Sequence, residues 1–119
     1  MTCKNEDGRT LCRRPKGIHD LLKRHGRGLP RGHRVVGPVD QDDTDRKQGV
    51  YVLAAKRPGG WLEPVKVGHG GDVRDRLLTI CAERWCRNVS VTMFVLYTPG
   101  LRTHQRKKIE DAVRDDCGL

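Results

Sequence analysis

Residues 65–80 read VKVGHGGDVRDRLLTI, and their reading decides the fold. Val65 and Val67 alternate with Lys66, which is the period of a strand and places the two valines on one face. Gly68, Gly70 and Gly71 then interrupt it, because glycine takes backbone angles that other residues avoid. Asp72 suits a helix N-cap, and Val73, Leu77, Ile80 and Cys81 return at helical spacing. A strand that ends on bare backbone and leads straight into an Arg-bearing helix suits an anionic partner, phosphate above all. Arg76 is expected half-buried at the helix edge, where an arginine needs an anion or a structural acid. Arg74 and Asp75 are expected to face water.

Upstream, GVYVLAA begins at Gly49 and alternates Val50, Val52 and Ala54 with Tyr51, Leu53 and Ala55, a strand signature. KRPGGW is a turn, and LEPVKVG is the second strand. If the valines of both strands share the core, Tyr51 and Lys66 share the opposite face, since side-chain direction alternates. Downstream, NVSVTMFVLYTPG becomes nearly all apolar and resembles a strand covered on both faces. RTHQRKKIEDAVRDDCGL is an amphipathic helix, with Ile109, Ala112, Val113 and Cys117 inward and Gly118 as its stop. Glu110 lies beside Ile109, one turn before Arg114. The order β-β-α-β-α predicts an α+β fold: a small three-stranded antiparallel sheet flanked by helices.

The chain has 119 residues, enough for one domain or a small domain plus an arm. A net charge of +9 with only 4% aromatic residues favours a polyanionic partner and argues against a stacking platform for single strands. Residues 1–34 hold ten Lys/Arg against three Asp/Glu, and only GIHDLLKRH looks helical there. Residues 35–48 turn acidic and polar and read as a linker. Residues 1–48 are therefore expected to form a basic arm and acidic linker, partly irregular, and residues 49–119 the ordered domain. No long apolar run suggests a membrane span, and the start lacks the apolar segment of a signal peptide, so a cytoplasmic protein is expected. Five cysteines without close-paired spacing suit reduced thiols. Cys3, Cys12, His19 and His25 match none of the usual zinc patterns.

Two phosphate-binding folds are excluded. A P-loop needs Gly-Lys-Ser/Thr, which is absent. A dinucleotide fold needs the full G-x-G-x-x-G in a larger parallel sheet, and here the glycines read G-x-G-G after a tight hairpin.

GVYVL, then VKVGHGGDVRDRL, then a helix acid in KKIEDAV resembles the GIY-YIG nuclease superfamily over residues 49–117. Gly49, Val50 and Tyr51 resemble the GIY element. Lys66, Val67 and Gly68 stand at the YIG element, with a lysine where the family has its second tyrosine. Arg76 falls at the family's helix arginine, and Glu110 at its metal-binding glutamate. His69 follows the YIG glycine, where many members carry a Lys or His that supports the base.

The resemblance implies hydrolysis of phosphodiester bonds, in DNA with RNA left open, using one divalent cation, Mg²⁺ or Mn²⁺. It implies Tyr51 activating the attacking water, Glu110 holding the metal and Arg76 neutralising phosphate. Lys66 would assist Tyr51 or contact phosphate, since a phenol of pKa near 10 is a poor base and a neighbouring cation favours the phenolate. Arg74, Arg84 and Arg87 are candidates for binding nucleic acid around this site. The only asparagines, Asn5 and Asn88, do not match the helper asparagine that many members carry. With so little chain left for recognition, a separate specificity partner or a homodimer is expected. The alternative is the same fold as a binding module without turnover.

Overall fold

A computed structural model describes residues 12–40, 43–81 and 91–119, without the side chain of Cys81. It shows an α+β domain in which four antiparallel strands carry helices on both faces. The strands are β1 (Arg34–Val39), β2 (Gly49–Arg57), β3 (Trp61–Gly70) and β4 (Val91–Tyr97), in spatial order β1-β4-β2-β3. Helices α1 (Pro15–Gly26) and α3 (Thr103–Asp116) share one face, and α2 (Val73–Cys81) covers the other. Among the described residues no helix is long and apolar enough to cross a membrane.

β2 behaves as its alternation predicts. Val50, Val52 and Ala54 enter the core under α1 and α3, while Tyr51 and Leu53 enter the core under α2. Both faces are covered, and all residues from 49 to 55 are buried. β4 lies between β1 and β2 and is buried from Thr92 onward, as expected of a strand covered on both sides.

The sheet has four strands rather than the three expected. Arg34–Val39, placed by sequence in the arm and linker, pairs with β4 from Arg34↔Tyr97 to Val39↔Met93. Gly37 and Pro38 obscured it, and an edge strand tolerates both where the pairing is irregular. The acidic stretch that follows is docked as well. Asp45 N–H donates to Tyr97 Oη at 2.7 Å, Val73 N–H to Lys47 O at 2.9 Å, and Thr98 N–H to Gln48 O at 3.0 Å.

The helix foreseen in GIHDLLKRH likewise belongs to the domain and is no separate arm. Ile18, Leu21 and Leu22 are fully buried against β2 and β4. Pro15 suits its first turn, and Lys23, Arg24 and His25 suit its last. Arg13 exchanges two backbone hydrogen bonds of 2.8 Å with Leu62, and His25 Nε2 meets Asp116 Oδ2 at 2.6 Å. These contacts tie α1 to the β2–β3 hairpin and to α3. Cys12 is disulfide-bonded, which corrects the expectation of uniformly reduced thiols; Cys117 is free and buried.

Two expectations of register also change. β2 and β3 pair as Tyr51↔Gly68, Val52↔Val67 and Leu53↔Lys66, but Ala54 faces Pro64. Val65 is the extra residue of this bulge, so it packs beside Tyr51 and Leu53 while Val67 joins the opposite cluster. In α3 the buried stripe runs Arg106, Glu110, Val113, Cys117, and Ala112 faces solvent. The helix is thus rotated to put two charged side chains against the sheet.

Candidate active site

β3 is the edge strand beyond β2, and the cleft forms around it. Gly68 pairs with Tyr51 and has extended backbone, so it is glycine for space rather than for conformation. A Cβ built there would lie 2.3 Å from Tyr51 Oη and 2.5 Å from Cζ. The phenol therefore lies across the bare backbone of Gly68 toward the sheet edge. Gly49 is close-packed for a similar reason, since its added Cβ would meet Leu96 O at 2.6 Å.

Groups from both faces meet at this edge. The pairing register places Lys66 on the face of Tyr51 and Leu53, and His69, opposite Val50, on the face of α3. Together with Arg76, Lys107, Glu110 and Arg114 they line a cleft of about 290 Å³. All five residues expected to do chemistry, Tyr51, Lys66, His69, Arg76 and Glu110, are in it. A larger cavity of about 530 Å³, near Val39, Trp61 and Leu62, lies at the far end of the β2–β3 hairpin and contains none of them. Its mixture of Asp40 and Asp43 with Lys56 and Arg57 defines no one ligand charge.

Glu110 is buried, and a buried carboxylate requires compensation. Arg114, one turn along α3, donates from one Nη to Glu110 Oε1 and, at 3.0 Å, to Val67 O. That guanidinium bridges helix and edge strand and fixes the carboxylate. On the other oxygen, His69 Nε2 lies 3.3 Å and Lys107 Nζ 3.8 Å from Oε2. His69 Nδ1 is buried with no hydrogen-bond partner among the described residues. Arg114 and Lys107 were not singled out from sequence. The signal available was their spacing from Glu110, Lys107 three residues before it and Arg114 four after, which places cations beside a helix acid.

Arg76 is exposed, not half-buried, and Arg74 is the more enclosed of the two. The Arg76 stem runs over Gly70, whose added Cβ would meet its Cβ at 3.6 Å. Neither the Arg76 nor the Lys66 side chain makes a hydrogen bond or ion pair among the described residues. Asp72 anchors the start of α2 as expected, accepting the Asp75 N–H at 2.9 Å. That bond, with help from Arg46, holds the Asp72 carboxyl below the usual range. Arg84 and Arg87 lie outside the described residues.

The cleft sets four fixed cations, Lys66, Arg76, Lys107 and Arg114, against one carboxylate. Among the described residues no group of three or more His, Cys, Asp and Glu side chains gathers. Among the described residues the cleft thus offers no cage for a metal ion, and Glu110, with His69 beside it, is its one carboxylate. Comparison with family models, with curated proteins and with solved structures gave no match.

Proposed function

We propose that this protein is a metal-dependent endonuclease that hydrolyses phosphodiester bonds in DNA. The observation that carries the reading is the cleft itself: Tyr51, Lys66, His69, Arg76 and Glu110 come from different elements and line one small basic cavity around the edge of β3. The choice of DNA rests on the GIY-YIG resemblance.

Lys66 and Arg76 have no partner to give up among the described residues, so they take the phosphate oxygens, Arg76 through its planar fork. Their fixed charges then offset the negative charge that develops on those oxygens in the transition state. Tyr51 Oη, aimed past Gly68 into the cleft, receives the proton of the attacking water as the phenolate, which the Lys66 cation on the same sheet face favours. His69, its Nε2 3.3 Å from the Glu110 carboxylate, supports that proton movement. Glu110 would hold Mg²⁺ or Mn²⁺, which when bound acts as Lewis acid on the phosphoryl oxygen and leaving group. Tyr51 is the one Phe, Tyr or Trp in the lining, so the site offers cations for phosphate and little platform for stacking bases. Sequence preference would come from a separate partner or a second copy of the chain.

One observation favours a second reading, a binding module without turnover: Glu110 already satisfies Arg114, His69 and Lys107. Plasmid nicking with and without Mg²⁺ or Mn²⁺ separates the two. The expected result is metal-dependent nicking that falls by about 10²-fold or more in Glu110→Gln and in Tyr51→Phe. Products identical in wild type and Glu110→Gln would refute the enzyme and leave the binding module.

A further inference from the structure

The charge around Glu110 constrains the order in which ligands enter. Its Oε1 is committed to Arg114, which Val67 O also holds in place. That leaves Oε2, and Lys107 Nζ stands 3.8 Å from it. Lys107 has a second partner within reach, Asp111 Oδ1 at 3.1 Å, and its side chain is half exposed. It can therefore withdraw from Oε2 and still keep its ion pair with Asp111. A divalent cation entering the free protein meets three more fixed positive charges than negative ones, whereas a phosphate group meets a net attraction from the same excess.

We propose that the cleft is an anion receptor in its free state: it takes a phosphodiester on Lys66 and Arg76 without metal, and admits a divalent cation at Glu110 only once that phosphate is present, Lys107 occupying the cation's place until then. The proposal rests on the nuclease reading of the same site and adds the sequence of binding and the role of Lys107. Linkage makes the coupling reciprocal, so the phosphate must raise the affinity for the cation by the same factor as the cation raises that for the phosphate. Lys107 is a positioning residue here. Its removal should tighten metal binding to the free protein while leaving the anion site intact.

The test is two-dimensional ¹H–¹⁵N NMR on the full chain, reading the amides of Gly68, His69 and Gly70. The probes are the phosphorothioate dinucleotide TpsT, inorganic phosphate and MgCl₂, with midpoints expressed as free Mg²⁺. TpsT in EDTA is expected to shift these amides in wild type and not in Lys66→Gln/Arg76→Gln. With TpsT present, the Mg²⁺ midpoint is expected to fall by about 10-fold or more. Without it, Lys107→Gln should lower the Mg²⁺ midpoint by about 3- to 10-fold. An equal Mg²⁺ midpoint with and without TpsT would overturn the proposal. So would shifts by inorganic phosphate but not by TpsT, or a Lys107→Gln midpoint no lower than wild type. Because Lys107 is half exposed, its variant is expected to keep the wild-type spectrum elsewhere. A protein that titrates in this coupled way but nicks no DNA refutes the nuclease and retains the receptor. Nicking with uncoupled titrations does the reverse.

Discussion

Gly68→Ala is the most demanding perturbation of this site, because it adds one methyl group and changes no charge. The backbone of Gly68 is extended and accepts alanine, so the effect isolates space. The new Cβ would lie 2.3 Å from Tyr51 Oη, 2.5 Å from Cζ and 3.0 Å from Cε2. Reaching an ordinary van der Waals distance of about 3.4 Å requires the phenol to retreat by roughly 1 Å. Its ring is 1% exposed and packed among Leu53, Val73 and Leu77, so it cannot simply swing aside. Overpacking of this kind costs about 1–3 kcal/mol. For a domain of this size that lowers Tm by roughly 3–12 °C in calorimetry. On the proposed nuclease reading the same displacement moves Oη from the attacking water, and a misplacement of about 1 Å costs on the order of 10²-fold in rate. Single-turnover nicking at saturating Mg²⁺ measures that loss directly. Tyr51→Ala removes the ring that the new methyl group would strike. Adding Gly68→Ala to Tyr51→Ala should therefore leave the Tm of the single variant unchanged, while nicking stays low in both. An unchanged Tm and rate in Gly68→Ala alone would show that the phenol does not cross the strand, and the cleft as described would not exist.

Two further outcomes follow from groups outside the cleft. Asp72 has its folded pKa lowered chiefly by the Asp75 N–H, so its charge-dependent stabilisation is present above the unfolded value of about 3.9 and is lost as pH falls through the folded value. Asp72→Asn keeps a capping side chain, so its Tm deficit against wild type should be largest near neutrality and shrink as pH falls from about 6 to about 3; a pH-independent deficit would refute the assignment. Burial pushes the Cys117 thiol up to about 11, leaving little thiolate at mildly alkaline pH. Native alkylation there by iodoacetamide, located by mass spectrometry, should be about 10²-fold slower than in urea. Equal rates would place the thiol at the surface.

Local pattern carried much of this architecture. Alternation in GVYVLAA assigned the two faces of β2 correctly, because a strand's period is a property of its own backbone. Val73, Leu77 and Ile80 marked the buried stripe of α2 for the equivalent reason in a helix. The bulge at Val65 escaped that logic, since one extra residue reverses the parity and only pairing with β2 reveals it. β1 escaped it too, and so did the docking of α1, although its helical pattern was legible. Both are short, and both are stable because β4 and the core behind it receive them.

The residue types of the candidate site were legible in sequence: a tyrosine on a strand, a lysine and a histidine around a glycine, an arginine and an acid on helices. Their meeting was not. Tyr51 and Lys66 start from one face of the sheet and His69 and Glu110 from the other, so no periodicity brings them together. Tertiary structure does it by leaving β3 at the edge and by having no side chain at Gly68, over which the two sets converge. The burial of Glu110 was equally out of reach, because a carboxylate can enter the interior only where cations await it, and Arg114, His69 and Lys107 gather around it only once α3 has docked.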